Sequence, residues 1–450
     1  MIVETNEDYQ IFRTETKYHN HLMMLVVPTD DCSIHVAASK VCAILIKDVE
    51  TDKTYIFPFD HPDSIKHINL DMFKIDLDTQ NWIWTFDKKS ACQLIGHSHL
   101  LDIDLFTHLN ENYIIDKTSC ETSAHKLIRR NGKNERNLNK AIPLFKHKEM
   151  FEKMCDEVKI PLKEPGNGYR SENGIILQTL SKLEQTGIHV NPLCFKTHFP
   201  DAVIHEGDLV YSQYNLYTST GRPSNRFDNV NYAALNKNDG SRKCFTSRFG
   251  NDGKMVLIDY SAFHPRIISY LIKFPIPSDT DIYAYLGELY FNRKITEYDM
   301  DEIKSITMRQ FYGGVEEKYK HIKYLAHAND FKEKYWNDFQ KNGFIKTPLF
   351  ERVITNKHLT EANPNKLFNY ILQATETEIA ISVLREVINY LSSYKTKAVL
   401  YTYDSILFDF YKPEGNELLV QIMKIMKMGN RFPIKIYEGV SYDEVAQINV

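Results

Sequence analysis

Two aspartates, Asp259 and Asp404, stand where chemistry is possible. The apolar run MVLI ends on Asp259 and passes into Tyr260, and the stretch KTKAVLYTYDSILFDF sets Asp404 between two β-like runs. Two strands that each deliver a carboxylate at a tip are what a two-metal phosphoryl-transfer site needs. Mg²⁺ is a hard cation, usually held by one or two carboxylates together with substrate phosphates. Two such ions roughly 3.5–4 Å apart can stabilise the attacking and leaving oxygens of a displacement together. Many buried strands also end on a solvated aspartate, so the pair gains meaning only from the sequence around it.

Periodicity indicates how these residues are carried. Residues 22–60 read as strands: LMMLVV, KVCAILIKD and TYIFPFD are rich in β-branched and aromatic residues, with turn residues between them. KHKEMFEKMCDEV and IILQTLSKLEQTGIHV repeat apolar residues at helical spacing, and Gly187 stands where the second helix should close. The loop EPGNGYRSENG separates them, and residues 209–217 fit strand or helix equally. Residues 281–345 read as mostly helical, and 366–391 as one long amphipathic helix that feeds the Asp404 hairpin. The helix LLVQIMKIMKM and the strand FPIKIYEGV follow.

The 450 residues have room for about three domains. With 43% apolar and 25% charged residues, the composition is that of an ordinary globular protein. A net charge of −4 gives nucleic-acid binding no global support. Such binding would rest on local basic patches such as KLIRRNGKNERNLNK, residues 126–140, which reads as a solvated linker or a DNA-facing loop. Cysteines stand at 32, 42, 92, 120, 155, 194 and 244, an odd count without a CxxC pair. Neither a disulfide framework nor a zinc site is expected, and a reducing compartment fits. The polar, acidic N-terminus is unlike a signal peptide and the apolar runs are too short to span a bilayer. A cytoplasmic location and no membrane association are the expectation.

From about residue 175 onward, five motifs in order resemble those of the family A DNA polymerases, the DNA polymerase I type. TGRPSN followed by NVN is similar to a segment whose Arg contacts primer and minor groove; Arg222, Asn229 and Asn231 take its polar positions. Arg plus amides suits the degenerate minor-groove code. DYSAFHPRI resembles the motif whose Asp holds both metals, which falls on Asp259, with the Tyr260 backbone beside the metal. The family's Glu in this motif excludes a ribose 2′-hydroxyl, and His264 replaces it here. KSITMRQFYGG resembles the fingers helix: Lys304 would meet the triphosphate, Met308 the base, and Tyr312 with Gly313 the template end. Residues i, i+4 and i+8 of a helix lie near one face. Two family cations are missing, at Met300 and at Tyr283 of Asp281-Ile282-Tyr283, which implies either weaker phosphate clamping or substitution by Arg309 or Arg293. Asn369 and Gln373, four apart, resemble the pair facing the primer–template. Tyr403-Asp404-Ser405 takes the place of His-Asp-Glu, which leaves Asp404 as the second metal carboxylate.

The resemblance implies a compact, phage-type DNA polymerase of α+β class with the right-hand fold. It implies two Mg²⁺ ions, with Mn²⁺ able to substitute, and primer–template DNA and dNTPs as partners. The palm would be 216–270 and 365–450, and the fingers 271–364. Residues 146–215 would form a reduced thumb, in which SKLEQTGIHVNP resembles the segment before the family's long thumb. A short thumb should grip duplex poorly, which makes a processivity factor a candidate partner. Residues 1–145 resemble the family's RNase H-like 3′–5′ exonuclease domain, in vestigial form. Pro28-Thr29-Asp30 replaces its Asp-x-Glu, and Asp102 and Asp104 are the remaining candidates. Two alternatives stand beside this reading: a polymerase fold that binds nucleic acid with little or no catalysis, and a polymerase with relaxed ribonucleotide exclusion.

Overall fold

The structure is a computed structural model that describes residues 1–19, 21–31, 34–64, 68–71, 73, 83–96, 100–103, 105, 138–158, 174–356, 359 and 361–448. They form two compact units. The first comprises Met1–Gly187, Phe199–Tyr217 and Arg226–Val230; the second comprises Ile188–His198, Thr218–Asn225 and Asn231–Val450.

The first unit begins with helix α1 (Asn6–Thr16), whose start is fixed by a capping box between Thr5 and Asp8. A five-stranded mixed sheet follows, built from β1 (Leu22–Pro28), β2 (Val41–Asp48), β3 (Lys53–Pro58), β4 (Ile83–Thr85) and β5 (Leu101–Asp102). Its order is β3-β2-β1-β4-β5, antiparallel among the first three and parallel from β1 to β5. All seven residues of β1 are buried, which is why its sequence is an unbroken apolar run rather than an alternating one. Tyr9 and Phe12 of α1 pack with Met24, Ile44, Tyr55 and Phe57 in one core. Helix α2 (Lys88–Ile95) is capped by Asp87 and closed by Gly96 in the left-handed region. Helix α3 (Leu144–Glu157) packs on β2 and β3, where Thr54 donates a 2.7 Å hydrogen bond to Glu152. Helix α4 (Gly174–Thr186) packs on α2.

The second unit opens with α5 (Pro192–His198) and centres on a five-stranded antiparallel sheet. Its strands are β6 (Gly253–Tyr260), β9 (Lys397–Thr402), β10 (Ser405–Tyr411), β11 (Ile434–Gly439) and β12 (Val445–Ile448), in the order β9-β10-β6-β11-β12. Between β6 and β9 the chain is mostly helical: α6 (Phe263–Leu271), α7 (Ile282–Phe291), α8 (Met300–Gly313), α9 (Lys323–Asn342) and α10 (Pro364–Tyr390). A small hairpin of β7 (Phe344–Lys346) and β8 (Val353–Thr355) interrupts them, and α11 (Gly415–Met426) follows β10. Asp281 caps α7 by accepting from the Tyr283 and Ala284 amides at 2.8 and 3.2 Å. Asn363 caps α10, with Pro364 in the first turn where its missing N–H is harmless.

Two expectations are corrected. Helix α10 is not amphipathic: every residue from Ala374 to Ile381 is buried, Glu376 and Glu378 among them, so it runs through the core instead of along a surface. Cys194 of α5 and Cys244 form a disulfide, with Cα atoms 5.1 Å apart across 50 residues of sequence. No local spacing rule reaches that far. His198 joins them in a cluster whose potential ligand atoms lie within 4.8 Å of one another. No described helix is long and apolar enough to cross a membrane. Asp104 and most of the basic stretch 126–140 lie outside the described residues, as does the loop EPGNGYRSENG apart from its final glycine.

Candidate active site

The antiparallel sheet of the second unit brings the two aspartates together. Asp259 is the penultimate residue of β6 and faces Ser405 of β10 on one side and Lys435 of β11 on the other. Asp404 sits in the two-residue turn between β9 and β10, and its carbonyl accepts from the Tyr260 amide at 2.9 Å. Tyr403, the first residue of that turn, has a φ of 56°, an unusual conformation for a bulky side chain and of the kind found where a site is held under strain. Burial and the nearby Asp404 push the Asp259 carboxyl up to about 7. Burial, and then Glu376, push Asp404 up as well, opposed by Arg222 and His264. Among the described residues neither carboxylate receives a hydrogen bond from another side chain. Two crowded, unsatisfied carboxylates are a suitable oxygen donor set for a hard divalent cation. The Tyr260 ring is core: it is stacked on Phe263 at 4.2 Å and its hydroxyl donates to the Met426 carbonyl, leaving only its backbone to face a metal.

A third acid stands beside this pair. Glu376 of α10 is 2% exposed. One of its oxygens lies 2.9 Å from Arg222 Nε, and the other accepts from Arg222 Nη2 at 3.4 Å and lies 3.3 Å from His264 Nε2. The Arg222 guanidinium stacks 3.7 Å above the Tyr403 ring. His264 Nδ1 is hydrogen-bonded to the Tyr312 hydroxyl. Arg222, expected at the primer, is thus paired inside the protein, and His264 links α6, α8 and α10. The sequence reading missed Glu376. Its signal was spacing: it lies three residues after Gln373 and seven after Asn369, on one helical face.

Helix α8 presents its candidates as expected from their spacing. Ile303, Ile306, Thr307, Gln310 and Phe311 are buried, while Lys304, Met308 and Tyr312 lie on the less buried side. Lys304 is half exposed and only 3.9 Å from Asp301, a weak surface pairing that leaves its charge available. Arg309 is paired with Glu316 at 2.9 Å, and Arg293 is bound by both oxygens of Asp299, so both proposed substitutes for the missing cations are engaged locally. Tyr283 is raised to about 12 by burial. Gly313 accepts from Asn365 through its carbonyl and has room for a Cβ, which would meet Arg309 Cγ at an ordinary 3.8 Å, whereas Gly314, with φ at 102°, is where the backbone demands glycine. Gln373 donates to Asn369 at 3.1 Å, which confirms their shared face.

Gly221 explains the glycine before Arg222. Its φ is 74°, and an added Cβ would collide with the guanidinium of Arg352, which donates to the Thr218 carbonyl at 2.7 Å. Asp228 and Asn229 both adopt positive φ in a two-residue turn, a conformation that favours Asn and Asp. Asn231 follows in the short strand Val230–Asn231. Asp409, five residues beyond Asp404, is fully buried and receives Ser247 at 2.5 Å and the Arg248 amide and Nε at 3.1 and 2.8 Å, so it is a structural acid.

In the first unit the candidate acids are engaged otherwise. Asp30 accepts from Thr29 and Ser39 at 2.7 and 2.8 Å. Asp102 accepts from the Lys88 and Leu105 amides at 2.9 and 2.7 Å and from the Tyr217 hydroxyl at 3.3 Å. Among the described residues this unit holds no cluster of three potential metal-binding side chains.

No family model matches this sequence, and no curated protein matches it. Among solved structures, the chain is similar to the POL domain of Pol1 from M. smegmatis in complex with DNA primer-template and dNTP. The TM-score is 0.70 at 13% identity, over 98% of this chain and 99% of that one. At that identity the likeness is one of fold, and the chain has the mixed α+β fold of a polymerase domain along nearly its whole length.

Proposed function

We propose that this protein is a DNA-templated DNA polymerase that extends a primer 3′-hydroxyl with dNTPs. The observation that carries the reading is the meeting of Asp259 on β6 with Asp404 in the turn of the neighbouring hairpin, both raised and neither accepting a hydrogen bond from another side chain among the described residues. Asp259, Asp404 and the Tyr260 carbonyl would hold two Mg²⁺ ions, with Mn²⁺ able to replace them. When bound, these ions supply the positive charge that stabilises the attacking and leaving oxygens of an in-line displacement at the α-phosphate. Lys304 offers a point charge to the triphosphate, as lysine does at many phosphates. Met308 offers an apolar body to the base and Tyr312 an aromatic at the template end. Arg222, Asn229, Asn231, Asn369, Gln373 and Gly313 are assigned to the primer–template. The domain assignment follows the sequence reading, with a phage-type economy of thumb and a vestigial exonuclease domain. The satisfied state of Asp30 and Asp102 supports the loss of nuclease chemistry.

The test is Mg²⁺-dependent extension of a labelled primer by wild type and Asp404→Asn. Wild type should extend, and the variant should fall by about a thousandfold, the scale of losing several kcal/mol of transition-state stabilisation. Binding of primer–template without extension by wild type would reject the reading. It would favour the non-catalytic binding protein, for which the local engagement of Arg309 and Arg293 is the supporting observation.

A further inference from the structure

Cys194 and Cys244 are brought together by contacts that do not involve sulfur. Cys194 stands in the first turn of α5, where its amide donates to the Asn191 side chain at 3.0 Å. Cys244 ends the 3₁₀ turn Ser241–Cys244. Backbone joins the two segments: the Asn191 amide donates to the Cys244 carbonyl at 2.8 Å, and the Thr246 amide to the His189 carbonyl at 3.0 Å. The buried rings of Phe195 and Phe245 meet edge-on, 5.9 Å between centroids. These contacts set the Cα atoms 5.1 Å apart, so the two thiols should stay adjacent when the disulfide is reduced.

A third ligand completes the cluster. His198 follows Cys194 by four residues, about one helical turn, so both side chains leave α5 on one face. The two sulfurs and a ring nitrogen of His198 lie within 4.8 Å of one another. Around a tetrahedral Zn²⁺, with bonds of about 2.0–2.3 Å, such atoms stand roughly 3.3–3.8 Å apart, a difference that side-chain rotation covers. Two thiolates and an imidazole are a donor set that selects Zn²⁺ over Mg²⁺. Cys244 is buried while Cys194 and His198 are half-buried, so a fourth position is open to water. The cations beside Cys244 are turned to other groups: Arg242 donates to the Leu235 carbonyl at 2.9 and 3.1 Å, and Lys243 lies 3.7 Å from Glu444. Cys42 and Cys92 are buried elsewhere, and burial pushes their thiols up to about 12 and 11, so they keep their protons and do not compete for an ion.

We propose that Cys194, His198 and Cys244 form a Zn²⁺ site in the reduced chain, and that the disulfide is the oxidised form of the same site. A small-molecule disulfide converts one form into the other. One protein thiolate attacks it and expels a thiolate, and the second attacks the mixed disulfide and expels the other. One S–S bond forms in the protein as one breaks in the reagent, two electrons pass to the reagent, and the ion loses two of its three ligands. The site does not depend on the polymerase reading.

Metal titration of the full, tag-free chain tests this. The protein is reduced with a phosphine, freed of metal, and titrated without oxygen with Co²⁺ and then Zn²⁺, with excess Mg²⁺ to occupy carboxylate sites. One equivalent of Co²⁺ should give thiolate-to-metal charge-transfer absorption, which Zn²⁺ abolishes by displacement. Cys194→Ala and His198→Ala should each weaken Zn²⁺ binding by about a hundredfold or more, since loss of a partner one shell further out already costs about 10–100-fold. A thermal melt shows that each variant is folded. Oxidised glutathione should release the ion as the Cys194–Cys244 bond forms. No charge-transfer absorption, an unchanged affinity in either variant, or a disulfide that the phosphine cannot reduce in the folded chain would overturn the proposal. An ion retained while the disulfide forms would overturn it as well, because both forms use the same sulfur atoms.

Discussion

Glu184 in the first unit and Glu376 in the second are both buried glutamates on helices, and their surroundings differ in kind. Glu184 is ion-paired to Lys89 and accepts from Gln93 at 2.8 Å and from the Tyr214 amide at 2.7 Å, so both of its oxygens are used. Burial raises its pKa against the pull of Lys89. Glu376 has the Arg222 guanidinium and the His264 ring beside it, yet one oxygen has no hydrogen bond. A fully satisfied buried acid fastens its elements together: here α2, α4 and the segment at Tyr214. A half-satisfied one is poorly optimised for folding and suited to a partner that arrives later. The aspartates repeat the contrast. Both carboxylate oxygens of Asp102 and of Asp409 accept hydrogen bonds, whereas Asp259 and Asp404 stand close together and, among the described residues, accept none from another side chain.

The largest effect should come from breaking the satisfied member. Glu184→Ala leaves the half-buried Lys89 ammonium with the Tyr214 carbonyl but without its anion, and should destabilise the protein by about 3 kcal/mol in denaturant unfolding. Glu376→Gln keeps the side chain's shape and leaves a cation that is 29% exposed and can be solvated, so it should cost less, about 1 kcal/mol. Similar losses in the two variants would erase the distinction.

Next comes the pH dependence of the crowded pair. Asp259 is raised from 3.8 to about 7 on folding, so its contribution is favourable while protonated and is lost as pH rises through about 7. Asp259→Asn should therefore stabilise the metal-free protein at pH 8 by on the order of 2–4 kcal/mol. The gain should vanish below about pH 4, where the carboxyl is protonated in both states. Thermal melts across that range decide it, and a variant that gains nothing at pH 8 would show that the carboxylate is well solvated. Because protons and cations compete for the same oxygens, Mg²⁺ binding should weaken as pH falls below about 7.

The smallest effect concerns the scaffold beneath Arg222. Gly221→Ala forces a Cβ into the left-handed region and against Arg352, and should cost about 1–2 kcal/mol. If the Arg222–Glu376 arrangement depends on that close approach, nucleotide affinity should fall in the same variant. A stability loss with unchanged affinity would confine Gly221 to folding.

Much of the site was legible because it is local. The Asp404 hairpin needs only a turn between two β-like runs, and the shared face of Lys304, Met308 and Tyr312 needs only helical geometry. The Asn369–Gln373 pair is likewise a matter of four residues on one helix. The long helix was misjudged because its two buried glutamates look like a solvated stripe in sequence. Their charges are accommodated by Arg222 and by Thr347, on segments far away in the chain. The role of Arg222 was incomplete for the same reason, since its partner lies 154 residues on.

The sequence by itself determined the order of elements, the strand tips that end on aspartate and the helix that carries Lys304. Each of these follows from the residue's own backbone preferences and those of its near neighbours. The tertiary structure alone decided which acids are satisfied, that Cys194 meets Cys244, and that Glu376 stands where His264 and Arg222 converge. A side chain's hydrogen bonds, desolvation and charge environment are set by groups distant along the chain, and only folding brings those groups within reach.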